Sequence, residues 1–323
     1  MTKLLPTCAI AFSLALTLTP TTFAQEGSVP TQVLVNVDAK STAPTGASDL
    51  TLTVDGHKQP LTSWAPVLPA HAQVALLIDD GLRESMGREL NNLEDFVRNL
   101  PPGIEILIGY MQNGSIQQAQ PFTTDHAKAA STLHLPEGIP GASASPYFCL
   151  SDFVKHWPGA GSADPNAAPT IGTFSGPRTG LARFVIMITN GVDPYNGNTS
   201  VMNQDSPYVE SAIKDSERAG VAVYAIYFSD AGIRGGSADN SGQNYLADLA
   251  QRTGGVSFWE GVGNPVSTAP FLKQFQNAIA ETYIATFNAA AGAHPAQDMV
   301  HIKLAAAKTK LHAPEEVRPG NVE

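Results

Sequence analysis

The chain has 323 residues, 43% of them hydrophobic and 15% charged, which is enough apolar mass for one sizeable core or two small ones and places it among globular proteins. Its formal charge of −10 repels phosphate backbones, so nucleic acid is not an expected partner.

Residues 1–24, "MTKLLPTCAIAFSLALTLTPTTFA", combine a lone Lys3, an apolar run from Cys8 to Leu18 and a small-residue end at Thr22 and Ala24. That pattern reads as a secretory signal peptide cleaved after Ala24, so the chain is expected to be exported, to a periplasm or to the outside. The run is shorter than the roughly 20 apolar residues a bilayer-spanning helix needs, and no other stretch approaches that length, so no membrane span is expected. With Cys8 removed, Cys149 stands alone and no intramolecular disulfide is expected.

Residues 25–72 form an N-terminal β segment and linker. Within a background rich in Pro, Thr, Ser and Ala, "QVLVNVD" (32–38) and "LTLTVDG" (50–56) alternate apolar with other residues and predict half-buried strands, each ending at a turn signal. From 73 to 290 the grammar changes. "VALLI" (74–78), "IEILIGY" (104–110), "RFVIMIT" (183–189) and "VAVYAIYF" (221–228) are nearly continuous apolar runs, as in parallel strands buried on both faces.

Segments between these strands carry helical period. Met86, Leu90, Leu93, Val97 and Leu100 recur at spacings of three and four before Pro101-Pro102-Gly103 ends the run. Ser206-Pro207 reads as an N-cap and first turn, with Gly220 at the matching C-cap. "NYLADLAQRTGG" closes another helix on Gly254-Gly255, and Asn113-Gly114 reads as a hairpin turn. Alternating β and α at this spacing predicts a doubly wound α/β sheet. Residues 157–180 and 228–243 have turn-forming composition without period and read as loops. Residues 291–323 return to short strand-like runs and a polar tail.

In such a sheet, ligands bind beyond the carboxyl ends of the strands, which directs attention to 79–85, 190–206 and 228–243, with the helix-to-helix connection 135–146 nearby. The succession "VALLIDDGLRESMGREL", "RFVIMITNGVD", "AGVAVYAIYF" and "LAQRTGGVSFW" resembles the von Willebrand factor A (vWA) domain over roughly 74–288. Before it, "LTLTVDGHKQPLTSW" and, after it, "YIATFNAA" with "VHIKLAAAKTKLHAPEEVRPG" are similar to the flanking β segments of a group of secreted vWA-related proteins common in Acidobacteria. The resemblance implies a vWA-like, mostly parallel six-stranded sheet with helices on both faces and short β segments at both ends. For function it implies a protein-binding or adhesion module.

Many vWA domains hold Mg²⁺ through an Asp-x-Ser-x-Ser motif, a Thr from the helix-to-helix connection and an Asp in a Thr-Asp-Gly phrase. Carried over, that set falls on Asp79, Ser85 (only if the loop bulges), Ser143 or Ser145, Asn190 and the displaced Asp193. Gly81 and Arg83 stand where the motif has hydroxyls, and Asn190 replaces a carboxylate by an amide. A shell of hard oxygens around Mg²⁺ is poorly served by such a set, so the site reads as degenerate and no cofactor is expected, Mg²⁺ being the ion it would take if any.

Other chemistry finds less support. Asp79 and Asp80 would form an acid–base pair only if the chain turned between them, since neighbours on a strand point to opposite faces. "GTFSG" and "GASAS" fail the spacing of a nucleophile elbow, and the eight histidines show no zinc-ligand spacing. Cys149 lies in an apolar context as a buried small residue would. Tyr195 and Tyr208 flank a strand-end loop and read equally as contact residues or as anchors. The expected function is non-catalytic capture of an unidentified protein partner. Its alternatives are an Asp-based hydrolase at the same face and a structural envelope component.

Overall fold

The computed structural model describes residues 27–322 apart from 39, 83, 139–144, 159–179, 194–205, 230–235, 262, 293 and 295–297, and for 84, 85, 207 and 236–240 the backbone. The signal peptide, Arg83, Ser143 and Tyr195 lie outside the described residues.

The chain opens with β1 (Ser28–Val37), β2 (Leu50–Val54), β3 (His57–Gln59) and β4 (Leu61–Pro66). There follow β5 (Ala72–Asp79), a 3₁₀ turn over Glu84–Glu89, α1 (Leu90–Arg98), β6 (Glu105–Gln112), β7 (Ser115–Thr123), α2 (His126–Ala130), α3 (Pro146–Lys155) and β8 (Ala182–Thr189). Next come α4 (Pro207–Ala219), β9 (Val221–Tyr227), α5 (Gly236–Arg252), β10 (Ser257–Phe258) and α6 (Ala269–Ala280). β11 (Thr282–Ala290), β12 (Val300–Ala306), β13 (Leu311–His312) and β14 (Glu316–Val317) close the chain.

The central sheet has six strands in the order β10-β9-β8-β5-β6-β7. All neighbours run parallel except β7, which returns antiparallel to β6 through Asn113-Gly114, both at positive φ, as expected for that pair. Alternation along β5 divides its side chains between two cores. Val74, Leu76 and Ile78 meet Leu93 and Val97 of α1 and Phe275 of α6. Ala75 and Leu77 meet Leu150 of α3, Ile213 of α4 and Leu246 of α5. The sheet is therefore covered on both faces, and its strands read as unbroken apolar runs for that reason.

Helix α4 starts and stops where its sequence signals stand: the Ser206 hydroxyl accepts the Tyr208 N–H, and Gly220 caps the other end in the left-handed region at φ 66°. Helix α5 departs from expectation, beginning at Gly236 inside a stretch that reads as loop. Gly242 has a packing role there, because a Cβ on it would lie 2.1 Å from the Asn190 carbonyl. The helix backbone rests directly on the turn after β8, and that contact outweighs poor helix propensity.

The two ends of the chain meet. One four-stranded sheet has the order β13-β1-β11-β4 and another the order β14-β12-β2-β3, and Val33, Val35, Leu52, Val54, Phe287 and Ile302 fill the space between them. Leu34 and Ile284 point the other way, into the core beneath α6. β1 is thus covered on both faces. Its buried polar residues are satisfied: Asn36 donates to the Ala278 carbonyl at 2.9 Å, and Gln32 donates its side chain to the Leu181 carbonyl at 3.0 Å.

One backbone contact offers a test of this packing. A Cβ on Gly255 would lie 1.9 Å from the Val223 carbonyl of β9, whereas Gly263 has open space around it. Gly255→Ala should cost about 3 kcal/mol in urea unfolding, and Gly263→Ala close to nothing.

Candidate functional site

The carboxyl ends of β5 and β8 and the start of α3 converge at one end of the central sheet. Asp79, the last residue of β5, is 3% exposed. One carboxylate oxygen accepts the Gly81 N–H at 2.9 Å, and the other accepts the Thr189 hydroxyl at 2.7 Å. The Thr189 oxygen in turn accepts the Gly191 N–H at 3.1 Å, and the Gly191 carbonyl accepts the Tyr147 hydroxyl at 2.7 Å. This chain of bonds ties β5, β8 and α3 together through buried groups. Gly191 sits at φ 66°, and a Cβ there would meet the Gly242 carbonyl at 2.5 Å. The turn can be built only with glycine.

Asp80 faces elsewhere. Its carboxylate accepts Gln112 Nε2 at 2.7 Å and the Glu137 N–H at 2.8 Å, and its carbonyl accepts the Gly138 N–H at 3.1 Å. The two adjacent carboxylates therefore serve different neighbours, Asp79 the β8 turn and Asp80 the β6 end and the 137–138 segment. That arrangement places no shared proton between them.

The remaining residues singled out from sequence distribute as follows. Asn190 is half-buried and its Oδ1 accepts the Val192 N–H at 2.9 Å. Asp193 is buried and accepts the Ser206 hydroxyl at 2.6 Å, so it also steadies the cap of α4. Ser145 precedes α3, is fully buried, and its Oγ has no hydrogen-bond partner among the described residues. Ser85 lies in the 3₁₀ turn after β5, where its backbone alone is described. Tyr208 packs its ring against Phe148, centroids 4.4 Å apart, which is an anchoring role. Among the described residues, no three His, Cys, Asp or Glu side chains gather in a way that could hold a metal ion.

Electrostatics at this face follow from burial. The Tyr147 hydroxyl is pushed well above its ordinary pKa first by desolvation and then by the nearby charge of Asp193, with Asp79 adding to it. It stays a proton donor to Gly191. Cys149, one turn into α3, is buried and pushed up to about 12 by desolvation, so it is a packing residue and no thiolate nucleophile at neutral pH.

Thr189 and Tyr147 are the residues that sequence reading passed over. Thr189 carried a signal, since it stands directly before Asn190-Gly191 at the end of an apolar run. Tyr147 carried none, because its partner lies 44 positions away.

The strand order, the single antiparallel edge strand and the carboxylate at the end of the first central strand define a vWA-like α/β module. No family model matches the chain, and no curated protein matches it. Among solved structures it is similar to manganese-loaded TRAP protein of Plasmodium vivax, with TM-score 0.39 and 11% identity over 78% of this chain and 96% of that one. It is also similar to VWA2, the ArnB paralog of Sulfolobus acidocaldarius, with TM-score 0.37 and 11% identity over 91% and 79% of the two chains. A von Willebrand factor type A protein of Catenulispora acidiphila gives TM-score 0.36 and 9% identity over 91% and 75%.

The buried network predicts opposite outcomes for two hydroxyls. Thr189→Val removes a donor from a buried carboxylate oxygen and should lower stability by about 2 kcal/mol in chemical denaturation. Ser145→Ala removes a hydroxyl without a partner and should leave stability unchanged or raise it.

Proposed function

We propose that the chain is an exported, non-catalytic protein-binding or adhesion module whose vWA-type metal site is degenerate. Its contact surface is the strand-end face bearing Asp79, Asn190 and Asp193. The observation that supports this reading is the commitment of the Asp79 carboxylate, both oxygens of which accept internal hydrogen bonds from Gly81 and Thr189.

The residues do not fit Mg²⁺. The ion requires a near-octahedral shell of hard oxygens with anionic ligands. Here the central position is the neutral Asn190, whose Oδ1 is used by Val192, and Asp193 is bonded to Ser206. Ser145 contributes one buried hydroxyl without a partner, too little for a shell by itself. Recognition then falls to the loops at this face, 190–206 above all, since a rigid sheet presents variable loops without needing an ion. A catalytic carboxylate pair is disfavoured by the same geometry, with Asp79 and Asp80 turned to different partners.

Calorimetric titration of the mature protein with Mg²⁺, Ca²⁺ and Mn²⁺ should give no saturable heat, in wild type or in Asp79→Ala. Tight binding lost on that substitution would overturn the degenerate-site reading. Shortening the loop within 194–205, which leaves Gly191, Asp193 and Ser206 in place, should abolish capture of a partner while leaving the melting temperature of the core in place.

A further inference from the structure

The last residues of the chain form a strap across the opposite end of the central sheet. Pro314 bridges to Thr253, and the Glu315 N–H donates to the Arg252 carbonyl at 2.9 Å at the end of α5. Glu316 and Val317 then pair with β12. Further on, the Gly320 N–H donates to the Thr31 hydroxyl at 3.0 Å, and Asn321 exchanges two bonds with the backbone of Gln32 at 2.9 and 2.8 Å. Through β13 and β14 the strap also covers one edge of β1 and one edge of β12.

Beneath it lies Glu217 of α4, 2% exposed. Its Oε1 accepts the Glu316 N–H at 3.0 Å, while its Oε2 is buried without a hydrogen-bond partner among the described residues. A cavity of about 10 Å³ adjoins it, lined by Gln32 of β1, Val221 of β9, Thr253, Pro314, Val317 and Asn321. A carboxylate in this place would carry a buried oxygen without a donor among the described residues. The surroundings add little relief. From the strap, Glu315 and Glu316 face it with like charge. From α5, Arg252 faces it but is already bonded twice to Glu210. The linings from β1 and β9 bring no ionisable group.

We propose that Glu217 is a proton-operated latch: the strap docks on its neutral carboxyl and is released as that carboxyl ionises. Burial pushes the group up to about 8, with Glu316 and Glu315 adding and the Glu316 N–H and Arg252 opposing. When the strap lifts, Glu217 meets water and returns to the ordinary carboxylate range. The docked form therefore holds a proton that the released form gives up between roughly pH 4.5 and 8. Docking is in full strength below that window, weakens about tenfold per pH unit through it, and levels off above it.

Hydrogen exchange of the mature protein, read by mass spectrometry on residues 313–322 and corrected for intrinsic rate, measures this directly. From pH 5.5 to 7.5, wild-type protection of the strap should fall by about a hundredfold while that of β5 and β8 holds. Glu217→Gln, neutral at every pH with a carbonyl to accept the Glu316 N–H, should show no such fall. Equal strap protection at both pH values in wild type, or a wild-type slope in Glu217→Gln, would overturn the latch. Should Glu217→Gln fail to fold, the double variant Glu315→Gln, Glu316→Gln decides. Losing the repulsion lowers the pH at which docking levels off, and an unshifted plateau overturns the proposal.

Discussion

The antiparallel pairing of β1 with β11 is the constraint on which the rest of the molecule depends. Nine consecutive residue pairs, from Ser28 against Ala290 to Asn36 against Thr282, join segments some 250 positions apart in sequence. A pairing of that span is entropically costly to close and is repaid only by burial. Both faces supply it: Val33 and Val35 enter the core between the two terminal sheets, while Leu34 enters the core of the central sheet. A slip of one residue would exchange these sets, so the register is fixed by what lies above and below. Once fixed, β1 presents Gln32 to Asn321 and Thr31 to Gly320, and the strap has a place to lie.

Carboxylates at the two ends of the central sheet are handled in different ways. Asp79, Asp80 and Asp193 are buried yet remain acceptors of bonds from backbone N–H groups, hydroxyls and an amide. Such donors offset part of the loss of water. The strand-end face is thus rigid, held by directional bonds to β8, α3 and α4. At the other end Glu217 has, among the described residues, one donor where a carboxylate needs more, and a small cavity adjoins it. The difference lies in the number of donors.

Much of the central architecture was legible in sequence because its signals are local. Unbroken apolar runs predict strands covered on both faces, Asn113-Gly114 predicts the hairpin between β6 and β7, and Ser206 with Gly220 brackets α4. Gly236–Gly242 reads as loop from sequence, since glycine and serine carry weak helix propensity, yet the contact that requires Gly242 belongs to the Asn190–Gly191 turn some 50 positions earlier. The site shows the same division. Asp79 was found from its place after an apolar run. Its partner Thr189 and the Tyr147 link to Gly191 depend on register between distant strands and helices, which no spacing encodes. Nothing local in the sequence marks Glu217 among the charges of α4; residues 314–321, returning over it, bury it.

Gly191 and Gly242 meet with no side chain between them. Where two elements are separated by side chains, rotamer changes can absorb a displacement of one before the other responds. Here backbone bears on backbone, and no such cushion exists. A displacement of the β8 turn meets the α5 backbone directly, and Leu246 and Leu249 anchor that helix in the core beneath. A side chain at either glycine would have to push the turn and the helix apart.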